Sequence, residues 1–179
     1  PPPPPPGATP ATWGHPCHFA PERHMPFMRL LILLLCLAAA GLLYIRFSPM
    51  SEARWHTDPA TAPRPASPNF YALRDGDGDG AAPILPAPPE EVATALEVLM
   101  AATPRVTRLA GDPQAGHVTY VQRSRLMGYP DAISIRLTGV EGGTRLDIVS
   151  RSRFGYGDAG VNAARVTLWV ARREAARAP

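Results

Sequence analysis

A chain of 179 residues has room for one ordinary domain plus appendages, and 19 of its 23 prolines lie at or before Pro89, so a packed core is confined to about the last 110 residues. A net charge of +3 is too small to indicate nucleic acid as a partner. The two cysteines, Cys17 and Cys36, both precede the foldable region, which excludes a disulfide framework or a cysteine metal site within it.

The chain opens on six prolines and stays irregular until Met25 and Met28, which stand directly before an apolar run. Residues 1–28 are therefore expected to be disordered or to belong to a mis-assigned start, with translation beginning at Met25 or Met28. His15, Cys17, His18 and His24 have the chemistry of metal ligands, but nothing around them would fix a coordination geometry, so no metal is expected.

Residues 30–45 form an uncharged run of 16, bracketed by Arg29 and Arg46 and followed by Phe47. As a helix this run reaches about 24 Å, somewhat short of a hydrocarbon core of about 30 Å. Snorkelling arginines and interfacial aromatics such as Tyr44 and Phe47 cover that shortfall. The leucines before Cys36 disfavour a lipoprotein signal. Cleavage after the alanines at 38–40 competes with an uncleaved anchor, and resumption of the apolar run at Leu42 favours the anchor. We therefore assign 29–47 to a transmembrane segment, with the domain expected on the periplasmic side of a bacterial inner membrane. The flanking arginines are too balanced to fix that orientation.

Residues 48–68 carry five prolines and few apolar side chains and read as an extended tether. A folded domain is expected over 69–174 and a disordered tail over 175–179. The stretch 69–74 can form a short strand. The following DGDGDG at 75–80 matches the opening of an EF-hand loop, but Pro86 stands where the closing glutamate is needed, which makes it an acidic turn.

Pro88, Pro89, Glu90 and Glu91 open a helix that carries Val92, Leu96, Leu99 and Met100 and ends at Pro104. Four strands follow, over 105–110, 117–123, 132–138 and 144–150. A final helix begins near Asp158 with Val161, Ala164, Leu168 and Ala171 on one face. Ile133, Ile135 and Leu137 must share a buried face with Leu146 and Ile148. Parity then demands an even loop and places Arg136 opposite Asp147 on an exposed polar side. The order strand-helix-four strands-helix predicts a two-layer α+β domain, a curved antiparallel sheet with helices on one face, of helix-grip or TATA-binding-protein-like form.

Two strings around these last elements stand out. The first, RSRLMGYPD, contains Arg123, Ser124, Arg125, Gly128, Tyr129 and Asp131; the second, SRSRFGYGDAGVNAAR, contains Ser150, Arg151, Ser152, Arg153, Gly155, Asp158, Gly160, Asn162 and Arg165. In these the chain resembles the bacterial and plastid domain of unknown function family 1499, over about residues 70–173. The resemblance implies no activity.

The residues themselves support two readings. All 18 basic residues are arginine, consistent either with a coding bias or with bidentate anion recognition. Arg125, Arg151, Arg153, Asp158, Asn162 and Arg165 are candidates for an anion site at the start of the last helix. Alternatively Asp131 and Asp158 neutralise these arginines and merely tie strand to helix. Within 69–174 His117 is the one histidine, lysine and cysteine are absent, and Ser150 and Ser152 have only aspartates nearby, so no catalytic residue is assigned and no cofactor is expected. The expected function is a membrane-anchored binding or scaffolding domain for a small anion, a lipid headgroup or a protein. A hydrolase-like enzyme and a lipid carrier with a cavity under the last helix are the alternatives.

Overall fold

The computed structural model describes residues 25–175. The expectations for residues 1–24, including the four candidate metal ligands there, and for 176–179 lie outside the described residues. Packing divides the chain into two compact units between Ala38 and Ala39.

Helix α1 (Met25–Phe47) takes in residues 25–28, expected to precede the anchor. Its 22-residue apolar stretch, Pro26–Phe47, is long and apolar enough to cross a membrane and is unburied throughout its most apolar window. At 1.5 Å per residue it reaches about 33 Å, so the shortfall inferred from the uncharged run disappears. A four-residue helix α2 (Glu52–Trp55) follows.

The second unit is built on β1 (Phe70–Leu73), β2 (Ile84–Leu85), α3 (Pro89–Ala102), β3 (Val106–Asp112), β4 (His117–Arg123), β5 (Pro130–Val140), β6 (Gly143–Ser152) and α4 (Val161–Ala175). The six strands form one open antiparallel sheet in the order β1-β6-β5-β4-β3, with β2 also paired to β6. The domain is thus mixed α+β, with the short β2 added to the expected order. The β5–β6 hairpin has the register that parity demands. Arg136 lies opposite Asp147, Thr138 opposite Arg145 and Val140 opposite Gly143, leaving Glu141-Gly142 as a two-residue turn. Gly142, at φ +88°, supplies the left-handed backbone such a turn needs.

One sheet face is apolar. Val118, Tyr120, Ile133, Ile135, Leu137, Leu146 and Ile148 meet Val92, Leu96 and Met100 of α3 and Val166 and Trp169 of α4. Burial there pushes the Tyr120 hydroxyl up to about 12. The gap left between helices and sheet, lined by Leu85, Leu96, Ile148 and Trp169 among others, is about 20 Å³.

The second face corrects two expectations. Residues 48–68 are not an extended tether: their first half crosses this face as a strap, burying Ser48, Trp55 and Pro59. Strap main chain and side chains satisfy the polar half of the strands. Ser134 Oγ donates to the Trp55 carbonyl (3.4 Å), His56 Nδ1 bonds Thr119 Oγ1 (2.8 Å), and Thr119 bonds Ser134 (2.9 Å). Arg136 pairs with Asp58 at 2.6 Å. Burial opposes the Asp58 charge, but hydrogen bonds from Arg136 and the Ala60 amide outweigh it and hold the carboxyl below its ordinary value. Consequently the polar side of the hairpin is not exposed. Asp147 is buried and bonded to Arg145 (3.0 Å), so Arg136 and Asp147 share a register position without forming an ion pair with each other.

The acidic turn at 75–80 is tied down by arginines: Arg64 to Asp79 (2.6 Å), Arg74 to Asp77 (2.7 Å) and Arg145 to Asp75 (3.7 Å). Among the described residues no group of three or more His, Cys, Asp or Glu side chains could hold a metal ion.

Candidate functional site

Strand β6 ends at Ser152, and alternation decides where its side chains go. Leu146 and Ile148 face the helices, so Ser150 and Ser152 do too, and Arg151 and Arg153 must face the strap. The structure places them there. The Arg151 guanidinium lies 4.5 Å from the Trp55 ring centroid and donates to the Arg54 carbonyl (2.9 Å). Burial, then the neighbouring Arg54 charge, lowers its pKa. Arg153 donates to the Pro49 carbonyl and lies over Phe154 at 5.3 Å.

The remaining candidates gather on the helix side. Helix α4 starts at Val161, three residues later than Asp158, because Ala159 takes a left-handed turn at φ +52°. Asp158 still caps it: its carboxylate accepts from the amides of Gly160 (3.1 Å) and Asn162 (2.7 Å). Asn162 is fully buried. Its amide donates to the Asn69 carbonyl (3.0 Å) and Ser152 Oγ (3.1 Å), and its oxygen accepts from Ser150 Oγ (2.7 Å) and Arg165 (2.7 Å). Arg165 also donates to Gln122 (2.6 Å), Ser150 Oγ (2.9 Å) and Asp131 (2.5 Å). The Arg165–Asp131 side chains are only 9% and 8% exposed. Asp158, Asn162 and Arg165 are thus brought together, and their bonds stitch α4 to the sheet.

Beside this network, between α4 and the ends of β3, β4 and β5, runs an open groove of about 500 Å³. Arg105, Arg123, Arg125, Arg165 and Arg172 line it, with Val161, Leu168 and Trp169 along the helix. Its single acid, Asp131, is already held by Arg165. Arg123 is also committed: its guanidinium donates to the carbonyls of Arg46 (2.8 Å), Gly128 (3.1 Å) and Ser48 (2.8 Å). Burial, then Arg153 and Arg46, lowers its pKa. Arg105 gives only its Nε, to the Arg123 carbonyl (3.1 Å). No acidic side chain among the described residues pairs with Arg105, Arg125 or Arg172. Of the residues singled out from sequence, Arg125 and Arg165 line this groove, while Arg151 and Arg153 do not.

Sequence reasoning missed Arg105 and Arg172. The signal for Arg172 was present, since Arg165, Leu168 and Arg172 repeat at i, i+3 and i+7 along one helix face. It also missed His56, whose ring stacks on His117 at 4.1 Å and 15° beneath the strap. Burial, then His56, lowers the His117 pKa, while a bond to the Thr57 carbonyl (3.2 Å) opposes the shift. This pair touches a hydroxyl, but Thr119 is fully buried, so the arrangement offers no nucleophile to an outside substrate.

No curated protein and no solved structure matches the chain significantly. A family profile matches residues 57–172, well over half of the sequence, and it starts upstream of the expected 70, taking in the part of the strap that carries Asp58 and Pro59. The chain belongs to the family described as Protein of unknown function (DUF1499).

Proposed function

We propose that this protein is a membrane-anchored, non-catalytic binding domain, and that the groove beside α4 takes a small anion bearing phosphate or carboxylate groups. One observation carries the reading: three arginines, Arg105, Arg125 and Arg172, converge on a groove of about 500 Å³ whose one acid is already neutralised. Guanidinium forks bind such oxyanions bidentately, and uncompensated cations in one concavity raise the local anion concentration. Val161 and Leu168 give the groove an apolar wall, which suits an anion carrying a hydrocarbon portion. The 20 Å³ gap under the helices is far smaller than the roughly 300 Å³ of a small-ligand pocket, which disfavours the lipid-carrier alternative. Groove-lining side chains include no histidine, cysteine or lysine, which supports binding over catalysis. The helices on one face of the sheet are compatible with a helix-grip or TATA-binding-protein-like architecture, and we place the domain on the periplasmic side of a bacterial inner membrane.

Native mass spectrometry of the full chain released from membranes tests for a copurifying anion, and titration with inorganic pyrophosphate at low salt tests the groove directly. Arg125→Ala and Arg172→Ala should each weaken pyrophosphate at least tenfold with the melting temperature unchanged. Absence of binding at millimolar pyrophosphate, or equal affinity in the variants, overturns the reading.

A further inference from the structure

The loop joining β4 to β5 exposes a large apolar side chain that the protein leaves uncovered: Leu126 is 84% exposed, next to the partly exposed Met127. Tyr156, in the turn after β6, is 81% exposed. Both loops lie against the last turn of α1. Arg123, at the base of the first, donates to the carbonyls of Arg46 and Ser48, both at 2.8 Å. Gly128, at φ +71°, approaches so closely that a Cβ there would lie 3.0 Å from Arg46 Cγ. Phe154 bridges the two loops, edge-on to Tyr44 of α1 at 6.0 Å and to Tyr129 at 6.1 Å.

Phe47 ends the apolar stretch, so where α1 crosses a bilayer its last turn lies among the lipid headgroups. Groups packed on that turn lie at the same level. Tyr44 and Tyr129 then sit where amphipathic rings are favoured, and the exposed Arg46 and Arg125 stand where lipid phosphates are.

We propose that the 124–129 loop is a second membrane contact: Leu126 and Met127 enter the boundary between headgroups and acyl chains, and Arg125 and Arg46 bind the phosphates of anionic phospholipid. The contact seats the domain on the bilayer that α1 crosses; it shares Arg125 with the groove, while its apolar part, Leu126 and Met127, lies outside the groove lining and is read separately. It requires that α1 be inserted.

The test uses the full chain with Cys17→Ser and Cys36→Ser, reconstituted in vesicles of phosphatidylcholine and phosphatidylglycerol. An environment-sensitive fluorophore is placed on Leu126→Cys or, as a control, on Glu141→Cys. Glu141 is exposed at the turn after Val140, across β5 from Pro130, about 33 Å along the strand. Flotation with the vesicles first reports that α1 is inserted, independently of the loop. In floated protein, lipid spin-labelled near the headgroup should quench the probe at 126 at least threefold more than the probe at 141, and Arg125→Glu should reduce that difference. Equal quenching at the two positions overturns the proposal. So does a blue-shifted but unquenched probe at 126, which would mean that a second protein surface covers the loop.

Discussion

Replacing Trp55 with alanine tests whether the strap belongs to the fold. Trp55 comes from a Pro-rich segment of low hydrophobicity, yet it is 5% exposed and takes the guanidinium of Arg151 over its ring at 4.5 Å. Truncating a buried tryptophan costs about 3–5 kcal/mol, and losing the cation–π contact adds roughly 0.5–1 kcal/mol. Against a total stability of about 5–15 kcal/mol, this is a large share. For a folded body of intermediate size, about 4 °C per kcal/mol converts the cost to a fall in Tm of roughly 14–24 °C. Thermal unfolding of the full chain in detergent, followed by near-ultraviolet circular dichroism, reads it. Trp55→Phe should recover more than half of the loss. A fragment beginning near Ser67, which sequence alone would nominate as the independent domain, also loses Asp58 and Pro59 and should melt lower still. A Trp55→Ala protein that melts within about 2 °C of wild type would refute the packed strap.

Asp131→Ala leaves the buried Arg165 guanidinium without its counter-charge and should cost about 3–5 kcal/mol in a urea titration, whereas Asp131→Leu with Arg165→Met should restore most of it; a single-variant cost below about 1 kcal/mol would show the pair to be solvated. The second expectation concerns pH. Burial, then His56, holds His117 below its ordinary value of 6.5, so on acidification the unfolded chain takes up a proton that the folded chain refuses. His117 therefore imposes no penalty above about pH 6.5, and stability falls as pH drops through the lowered folded value. His117→Gln should flatten this part of the pH profile, and identical profiles for variant and wild type between about pH 7 and pH 5 would refute the assignment.

The helix face of the domain was legible because its residues obey simple periods. Ile133, Ile135 and Leu137 against Leu146 and Ile148 fix the hairpin register and an even loop, and pairing out to Val140 and Gly143 makes that loop the two-residue turn. The strap face was not legible, because its partners are irregular chain. Thr119, Ser134, Arg136 and Asp147 look solvent-facing in an alternating strand. Thr119 and Ser134 are buried and Arg136 is half-buried because His56, the Trp55 carbonyl and Asp58 meet them, and Asp147 is buried against Arg145. No hydrophobic period marks such a segment. The same blind spot misread β6. Arg151 and Arg153, expected beside the start of the last helix, share the strap side of the strand, and the helix side belongs to Ser150 and Ser152.

The strap also bears on the exclusive use of arginine. An irregular segment crossing a sheet face cannot satisfy its carbonyls by strand pairing, and those carbonyls need donors. Guanidinium forks supply them. Arg74 donates to the carbonyls of Pro59 (3.1 Å) and Ala62 (2.5 Å), Arg123 to those of Arg46 and Ser48, Arg151 to that of Arg54 and Arg153 to that of Pro49. A lysine ammonium gathers its three donors on one nitrogen at the end of a flexible stem and would span two such carbonyls poorly. Structural demand therefore accounts for arginines on the strap side, and the Asp131 pair accounts for Arg165. Among the remaining described arginines, Arg29, Arg46, Arg54 and Arg108 do not line the groove, while Arg125, Arg172 and, apart from one bond through its Nε, Arg105 have no comparable internal duty. All three line the same groove. A coding bias accounts for those scattered elsewhere; the convergence of three on one concavity is what an anion site requires.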